Sequence, residues 1–438
     1  MRNVIAFFLF GALTITLCLR TFISMSILLM VRTTPANYTE IFGNDTSLDL
    51  EAEDDGLLDW KPEWKPLVFS VPLVGTVIAL LFYFNLGTIN YFFSVSIIIQ
   101  SVLSLISPPV ARASYIGFLM IRFCLGFVEG FTISSFNTIA VNWFPANERA
   151  LKLALYTCGY QVSFGVAQYV VSAFAQLGLP WTAAFYIFGS AGLVFAVLWF
   201  FIVSDAPASS RWAGAEEKEM LLKAIPHTAS SAANMTKRAI VPWSSILTSR
   251  VVAVHLACMG GVYFAIGITT AFLPTYFREE LALPISYNGI FTAAPFISQI
   301  AFKLVAGAIV DWFKTHRGLS QTVASKICQS LRASNLFVVG FYTSMTMIAP
   351  RFTGSISAVH FFVGALCQLL STALFTALTH MGTSYKFYIS FGISALWMAL
   401  ATAAYLLWGA AELQPWAREE NIITKEKKKA REQMKLLA

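Results

Sequence analysis

Residues Ser114 to Ala150 read SYIGFLMIRFCLGFVEGFTISSFNTIAVNWFPANERA. An apolar run long enough to cross a bilayer as a helix carries Arg122 and Glu129 inside it and ends in the polar stretch 145–149. Arg122 and Glu129 are seven residues apart, about two helical turns, so both side chains lie on one helix face. Charge at bilayer depth is costly and is usually kept for a pathway or a site. The stretch therefore predicts a functional site inside a membrane.

The composition supports a membrane protein. Of the 438 residues, 57% are hydrophobic and 12% are charged, whereas soluble domains have about 25% charged residues. The chain is thus expected to be all-α and polytopic. The net charge of +7 does not indicate nucleic-acid binding, because the basic residues fall in short loops and the C-terminal tail, where membrane topology explains them. The six cysteines lie in or beside apolar runs, without metal-ligand spacing, so neither a disulfide framework nor a metal site is expected.

Six spans are predicted in the first half of the chain. The acidic segment 32–66 after the first span contains two glycosylation sequons, at Asn37 and Asn44, and is expected on the outer side. Residues 67–107 contain no charged side chain and predict two spans, followed by a short outer turn at Pro108, Pro109 and Arg112. The spans are expected at 4–31, at two positions within 67–107, and at 114–141, 151–177 and 181–203.

The second half begins after a polar segment. Residues 204–250 are basic and predict a cytoplasmic linker, with the N-terminus on the same side. Apolar runs follow at 251–274, 288–310, 336–350, 353–380 and 386–409, and Tyr276 to Glu280 is expected to form a short outer loop. The predicted organisation is a six-helix N-terminal bundle at 1–203, a linker at 204–250, a C-terminal bundle of five or six helices at 251–410 and a basic cytoplasmic tail at 411–438.

The number of spans conflicts with the charge of the tail. Six spans and five spans make eleven, which places the tail outside, whereas its lysines favour the inside, as twelve spans would give. Either a span is missing, or Gln321 to Pro350 folds as two short pieces. We expect eleven to twelve helices, with the tenth missing or compressed.

Several motifs carry a family resemblance across nearly the whole chain. They are LRTFISMS at 19–26, RFCLGFVEG at 122–130, NWFPANER at 142–149, FYIFG at 185–189, LPTYF at 273–277, GAIVD at 307–311, APRFTG at 349–354 and AELQPWA at 411–417. These stretches resemble the major facilitator superfamily and, within it, the anion cotransporters that include the sodium/phosphate cotransporters, sialin and the vesicular glutamate transporters. The resemblance implies two helical bundles around a central cavity near the midplane, which rock to give alternating access.

The sequence departs from this family in three places. The segment from Asn85 to Asn90 lacks the charged, glycine-rich motif expected between spans two and three. Val262 stands where the glutamate-type members have an arginine, which argues against a vesicular glutamate carrier. Between Phe341 and Ala349 the family has about one more helix, which questions whether this chain transports at all.

The charged residues inside spans are the candidate site. Arg20 in span one is either a fixed positive site for an anion or half of an ion pair that joins two helices. Arg122 and Glu129 pair with one another or face separate partners. By resemblance, these two positions match residues tied to substrate binding and coupling. Glu129 is the candidate proton acceptor or cation ligand, and Lys303 and His255 are further candidates for substrate binding.

Two further groups have weaker signals. Glu148, Arg149 and Asp311 lie at the predicted cytoplasmic membrane edge, where they are expected to form ion pairs that hold one state of the transport cycle. Polar residues inside other spans are candidates for lining the cavity; they are Asn137, Gln161 and Gln299.

No catalytic constellation occurs in the sequence. It contains no nucleotide-binding loop, paired-cysteine metal site or nucleophile elbow, so an enzyme is not expected and no cofactor is predicted. The expected function is secondary active transport of an organic anion or phosphate, coupled to protons or sodium. The alternative is a transport-inactive family member that acts as a membrane partner. A facilitator of neutral or cationic solutes is disfavoured, because the intramembrane charges sum to a positive value.

The expected setting follows from this function. The partners are a small anionic solute and the lipid bilayer, and the unit is a monomer. The membrane is either the plasma membrane or that of an intracellular vesicle or lysosome.

Overall fold

The computed structural model describes residues 1–31, 58–60, 64–86, 92–204, 207–224, 241–318, 320–330, 341–349 and 352–417. Regular structure in these ranges is helical, apart from an isolated bridge between Val31 and Leu58. The helices of the first half are α1 Arg2–Thr21, α2 Ile23–Met30, α3 Leu67–Leu86, α4 Phe92–Ala113, α5 Tyr115–Trp143, α6 Ala146–Gln176 and α7 Thr182–Ile202. Those that follow are α8 Ala215–Ala224, α9 Trp243–Leu247, α10 Arg250–Glu279, α11 Ile285–Arg317, α12 Gln321–Ser330, α13 Phe341–Met347, α14 Thr353–His380 and α15 Lys386–Trp408.

Several helices meet the requirements of a bilayer. Crossing a hydrocarbon core of about 30 Å takes about 20 apolar residues. Among the described residues, seven helices are long and apolar enough: Arg2–Met30, Ser94–Ala113, Tyr115–Thr132, Thr182–Ile202, Arg250–Glu279, Ser355–His380 and Lys386–Trp408. The chain is therefore an integral membrane protein.

The outer turn expected at Pro108 and Pro109 is wrong. Both prolines and Arg112 lie within α4, which continues to Ala113. A proline removes one backbone donor, but a helix inside a membrane tolerates this where side-chain hydroxyls and neighbouring helices compensate. Here Ser107 Oγ donates to the carbonyl of Leu103 at 2.7 Å, and α4 packs along α5 and α7.

The loop expected at Tyr276 to Glu280 is also wrong. Helix α10 passes through Pro274 and ends at Glu279, so only residues 280–284 connect it to α11. The amide of Asn288 in α11 donates to the carbonyl of Pro274 at 2.8 Å. This bond fixes the end of α10 against α11, and the polar residues form the last helical turns instead of a loop.

The helices pack as two groups that meet along two seams. In the first group, α5 packs on α3 and α4, α6 packs on α1, and α7 packs on α4. In the second, α10 packs on α14 and α15. The seams between the groups are α6 against α11 and α3 against α14. Residues from both groups therefore face each other along the middle of the molecule.

The two ends of the bundle can be told apart. We call the end where α7 stops and α10 starts the linker end. Arg2 belongs to this end, because its Nε lies 3.4 Å from the carboxylate of Glu217 in α8. At the opposite end, Lys386 at the start of α15 pairs with Glu279 at the end of α10, with 2.8 Å between the charged atoms.

The start of α12 and the residues just after α13 lie at the same end of the bundle. Thr322, in the first turn of α12, accepts from the amide of Ala411 at 3.1 Å, just beyond α15. Ile348, just after α13, accepts from the amide of Gln414 at 2.9 Å. Both positions thus lie at the linker end.

The number of spans stays a prediction. Helix α12 ends at Ser330 and helix α13 begins at Phe341, and residues 331–340 between them lie outside the described part of the chain. The expected eleven to twelve helices and the compressed tenth helix are therefore untested. Helix α15 starts at the opposite end with Lys386 and finishes at the linker end.

Two glycines set the distance between α3 and α5. A Cβ on Gly126 would lie 1.8 Å from the carbonyl oxygen of Pro72, and one on Gly75 would lie 2.4 Å from the carbonyl oxygen of Phe123. The obstructing atoms are backbone atoms, so a side-chain rotation cannot make room. The two helices approach this closely only because both positions are glycine.

Gly126→Ala is expected to lower the thermal stability of the detergent-solubilised protein, since α3 and α5 must separate to admit the methyl group. Overpacking of this kind costs about 1–3 kcal/mol. The measurement is the midpoint temperature of unfolding. Gly392→Ala is the matched control, because a Cβ there meets no atom within 4 Å in helix α15. Equal midpoints for the two variants would contradict this account of the α3–α5 contact.

Candidate functional site

Arg20 and Glu129 form an ion pair inside the first half. Arg20 Nη1 lies 2.8 Å from Glu129 Oε1, which joins α1 to α5. The Glu129 side chain is only 3% exposed, while the Arg20 side chain is 18% exposed. The carboxylate is therefore enclosed, and the guanidinium keeps one side open to adjoining space.

Arg122 is connected to this pair through the backbone. Its Nη2 donates to the carbonyl oxygen of Arg20 at 3.1 Å, and its Nε has no hydrogen-bond partner among the described residues. The residue is 2% exposed. The sequence left open whether Arg122 pairs with Glu129. The structure pairs Glu129 with Arg20, because two helical turns separate Arg122 from Glu129 by about 10 Å along α5 and Arg20 contacts both.

The three side chains carry a net positive charge. Two guanidinium groups face one carboxylate, so the formal sum of the group is +1. A buried charge is costly unless it is balanced and hydrogen-bonded. A carboxylate or phosphate beside Arg122 would supply the missing charge and accept its free N–H donors, since the planar guanidinium suits such groups.

A cavity lies against both arginines. We call it the arginine cavity; it has an empty volume of about 350 Å³. Residues from both halves line it, so it sits where the two groups of helices meet. Its lining consists of Arg20, Thr21, Ile23, Ser24, Phe69, Pro72, Leu73 and Arg122 from the first half, and Gly267, Thr270, Ala271, Gln368 and Thr372 from the second.

Contacts between the halves lie between this cavity and the end opposite the linker. Ser70 Oγ donates to Thr372 Oγ1 at 3.2 Å, and the rings of Phe69 and Phe272 are 5.7 Å apart. Lys65 is next to α3; burial lowers the pKa of its ammonium, and the carboxylate of Glu279 in the other half raises it in part. These contacts hold the two halves together at that end.

A smaller space of about 290 Å³ adjoins Arg20, and Tyr263 of α10 lines it. The Tyr263 hydroxyl is 3.1 Å from the hydroxyl of Tyr160 on α6. This tyrosine pair is a direct link between the halves. Tyr160, in turn, lines a further cavity.

We call that further space the glutamine cavity, with an empty volume of about 810 Å³. No charged residue lines it. Gln161 is 4% exposed, and its Oε1 has no hydrogen-bond partner in the described part of the chain. The lining consists of Tyr160, Gln161, Phe164, Val262, Ala265, Ile266, Thr269, Pro295, Phe296, Gln299 and Met398.

Lys303 does not join the arginines. It is 1% exposed, and its Nζ donates to Thr157 Oγ1 at 2.8 Å, across the seam between α11 and α6. It lines neither the arginine cavity nor the glutamine cavity. Its role in substrate binding stays a prediction, and the observed contact is between helices.

His255 lies near the linker end, in a buried polar cluster. Its Nδ1 is 2.6 Å from the carbonyl of Val251, and its Nε2 is 2.7 Å from Ser344 Oγ on α13. Ser344 Oγ is also 2.7 Å from the hydroxyl of Tyr405, which reaches Ser325 on α12 at 3.1 Å. The cluster fastens the two short helices to α10 and α15, and the structure does not bring His255 to the arginine cavity.

Other predicted residues fall outside what the structure describes. The side chains of Glu148, Arg149, Asp311 and Asn137 lie outside the described part of their helices, and Asn37 and Asn44 lie in the segment 32–57, which is not described. The predictions for these residues stand untested. In the described residues, no group of three or more histidine, cysteine, aspartate or glutamate side chains could hold a metal ion.

Sequence reasoning found Arg20, Arg122 and Glu129 but missed the residues around them. Thr270, Gln368 and Thr372 give the arginine cavity its polar surface in the second half. Each is polar inside an apolar helix, and this was the only available signal. The tyrosine pair gave no signal, because tyrosine is common in spans.

Comparisons with known proteins agree with this architecture. The model of the Major Facilitator Superfamily matches residues 9–331. The "Uncharacterized transporter slc-17.3" of Caenorhabditis elegans is 29% identical over 402 residues, which cover 84% of this chain and 75% of that protein. Vesicular glutamate transporter 3 of Danio rerio is 24% identical over 420 residues, covering 88% and 70% of the two chains. These relatives include the group that the motifs resembled.

Solved structures share the fold at low sequence identity. The proton:xylose symporter XylE bound to 6-bromo-6-deoxy-D-glucose superposes with a TM-score of 0.62 at 15% identity, covering 94% of this chain and 98% of that one. A bacterial homolog of the human lysosomal transporter Spinster, in its inward-facing and occupied conformation, gives a TM-score of 0.56 at 13% identity, covering 94% and 99%. The helical fold, the family model and the relatives agree: the chain belongs to the major facilitator superfamily.

Proposed function

We propose that this transporter carries anions, with Arg20 and Arg122 as the binding groups and Glu129 as the coupling group. The observation that carries the proposal is the buried set of two arginines and one glutamate, with Arg122 Nε unpartnered beside a cavity that both halves line. A bound carboxylate or phosphate would balance the set. The similarity to vesicular glutamate transporters 2 and 3 supports an anionic cargo.

Glutamate itself is not the cargo we propose. Val262 lines the uncharged glutamine cavity, whereas glutamate-type members are expected to have an arginine at this position. A second acidic group in the cargo would meet no cation there. We therefore propose a carrier of another organic anion or of phosphate, driven by a gradient of protons or sodium, with its linker on the cytoplasmic side of the plasma membrane or a vesicle membrane.

The cavity supports the proposed rocking motion. The arginine cavity is lined from both halves, and contacts such as Ser70 to Thr372 join the halves at the opposite end. Alternating access requires such contacts to break in one state and form in another. Glu129 can bind a proton or a cation when Arg20 turns toward an anion. Separation of Arg20 Nη1 from Glu129 Oε1 would then couple anion binding to binding of the proton or cation.

The test is uptake by purified protein in liposomes. Labelled phosphate, urate, sialate and a dicarboxylate are offered under imposed pH and sodium gradients. We expect at least one anion to accumulate above the level in protein-free liposomes, and its accumulation to collapse when the gradient is dissipated. Accumulation of no anion under any gradient would contradict the proposal.

One observation favours a second candidate function. Among the described residues, four of the helices long and apolar enough to cross a bilayer lie in the first half and three lie in the second. A transport-inactive membrane protein that serves as a partner would be consistent with this. Such a protein shows neither uptake nor exchange of any anion, although it purifies as a folded monomer.

A further inference from the structure

We propose that the glutamine cavity receives the uncharged, largely aromatic or aliphatic body of the cargo, so that the carrier selects organic anions with an apolar body over inorganic phosphate. This inference rests on the proposed function, because the acidic group of the same molecule is held at Arg20 and Arg122. It adds a second subsite and a set of residues that determine specificity.

The two cavities differ in size and in the chemistry of their walls. The arginine cavity has about 350 Å³ of empty volume and two guanidinium groups. The glutamine cavity has about 810 Å³, and its walls are mainly apolar and aromatic, including Phe164, Ile266 and Phe296. Binding cavities for small organic molecules are typically apolar with a few placed polar groups. The larger space therefore suits an organic body and offers nothing to a second charge.

The side-chain oxygen of Gln161 faces the glutamine cavity without a partner among the described residues. This Oε1 is buried and lies in the wall of the cavity. A buried acceptor that stays unpaired costs free energy, so native proteins normally satisfy it. A cargo with a hydroxyl or N–H group on its apolar body would donate to this oxygen.

Shared lining residues and one hydrogen bond connect the two cavities. Arg20 lines both the arginine cavity and the space beside Tyr263, and Tyr263 is hydrogen-bonded to Tyr160 of the glutamine cavity. Helix α10 borders all of these spaces: Tyr263, Gly267 and Thr270 lie on one face, and Val262 and Thr269 lie on the adjacent face.

The hydrogen bond between Tyr160 and Tyr263 is thus one contact between the two spaces. A single bond of this kind contributes little net stability compared with the burial of an aromatic ring. A cargo that spans both cavities parts Tyr160 from Tyr263, and this releases a contact between the halves. Phosphate fits beside the arginines but cannot reach the glutamine cavity.

The test uses the full chain in nanodiscs and a graded set of anions. The probes are phosphate, acetate, phenylacetate, 4-hydroxyphenylacetate and 4-methoxyphenylacetate. One readout is the thermal stabilisation of the protein by each anion, which reports binding without transport. The other is protection of Thr269→Cys from a maleimide, compared with labelling of the chain without that substitution. Thr269 lines the glutamine cavity and is remote in sequence from the arginines.

The expected results follow from the lining. Phenylacetate binds about tenfold to a hundredfold more tightly than acetate, as for burial of a phenyl ring, and only the phenylacetates protect Thr269→Cys. The hydroxyl derivative binds about threefold to tenfold more tightly than the methoxy derivative, which cannot donate. Gln161→Leu removes this difference, while Gln100→Leu retains it. Gln100 is the matched control, because it is also buried but bonds to Thr132 between α4 and α5.

A second variant fills the space. Ala265→Phe places a ring in the glutamine cavity and is expected to weaken the binding of the phenylacetates to the level of acetate. The binding of acetate and of phosphate should not change. Two failures can be told apart. If no anion stabilises the protein in a manner that requires Arg122, the proposed anion site is wrong. If acetate and phosphate do so, but the phenylacetates bind no more tightly and give no protection, the anion site stands and the second subsite is overturned.

Discussion

Arg122→Gln is expected to abolish specific anion uptake, with a loss of affinity of about tenfold to a hundredfold, the range for hydrogen bonds to a charged group. The physical reason is the charge balance of the buried set. Arg20 and Glu129 neutralise each other at 2.8 Å, so Arg122 carries the unbalanced charge. Without it, an entering anion meets a neutral pair and gains no compensation for its lost hydration.

The measurement is anion-dependent stabilisation and uptake for the variant and for Arg112→Gln. Arg112 is the matched control, because it is exposed at the end of α4 and lies 5.8 Å from the ring of Trp181, away from the cavity. We expect the Arg122 variant to stay folded, because it removes a buried charge with one observed hydrogen bond. Affinity that matches the native protein would exclude Arg122 from the anion site.

Glu129→Gln is expected to separate binding from coupling. The substitution keeps the size of the side chain but removes the group that can take up a proton or a cation. Concentrative uptake should fall until the inside and outside concentrations are equal, while exchange of labelled for unlabelled anion continues. The affinity for the anion should not fall, because Arg20 loses its competing carboxylate.

A structural role for Glu129 predicts a different result. Breaking a buried ion pair by removing one partner is destabilising, so exchange and concentrative uptake would decline together, with a lower unfolding temperature. Comparison with Glu219→Gln gives the control, since Glu219 pairs with Lys223 on the exposed surface of α8. Gradient-driven uptake that is unchanged in Glu129→Gln would contradict the coupling role.

Much of the helical architecture could be predicted from the sequence, because runs of about 20 apolar residues have few alternatives to a crossing helix. The ends of the helices were less predictable. Pro108, Pro109 and Pro274 looked like breaks, but neighbouring helices carry α4 and α10 through them. The packing of α12 and α13 could not be predicted from composition, since it depends on distant contacts such as His255 to Ser344 and Tyr405 to Ser325.

The functional site was also only partly predictable from the sequence. Arg20, Arg122 and Glu129 could be selected because each is a charge in an apolar helix. Their partners could not be assigned, since the pairing of Arg20 with Glu129, 109 residues away, depends on the register of α1 against α5. Lys303 met the same criterion as the arginines, yet it faces Thr157 on the seam with α6. A charge inside a span indicates a buried partner. Only the packing of the helices decides whether that partner is a ligand or a side chain on a neighbouring helix.

The positions at which the two halves start and end have a consequence for how this chain can be assembled in a membrane. The first half starts at the linker end with Arg2 and comes back there at Ile202. The second half starts there with Arg250 and comes back at Trp408. Each half therefore begins and ends on the same face of the membrane. The orientation of one half in the membrane does not depend on the other half. The loss of a single crossing helix from the second half would have placed the end of α15 on the opposite face.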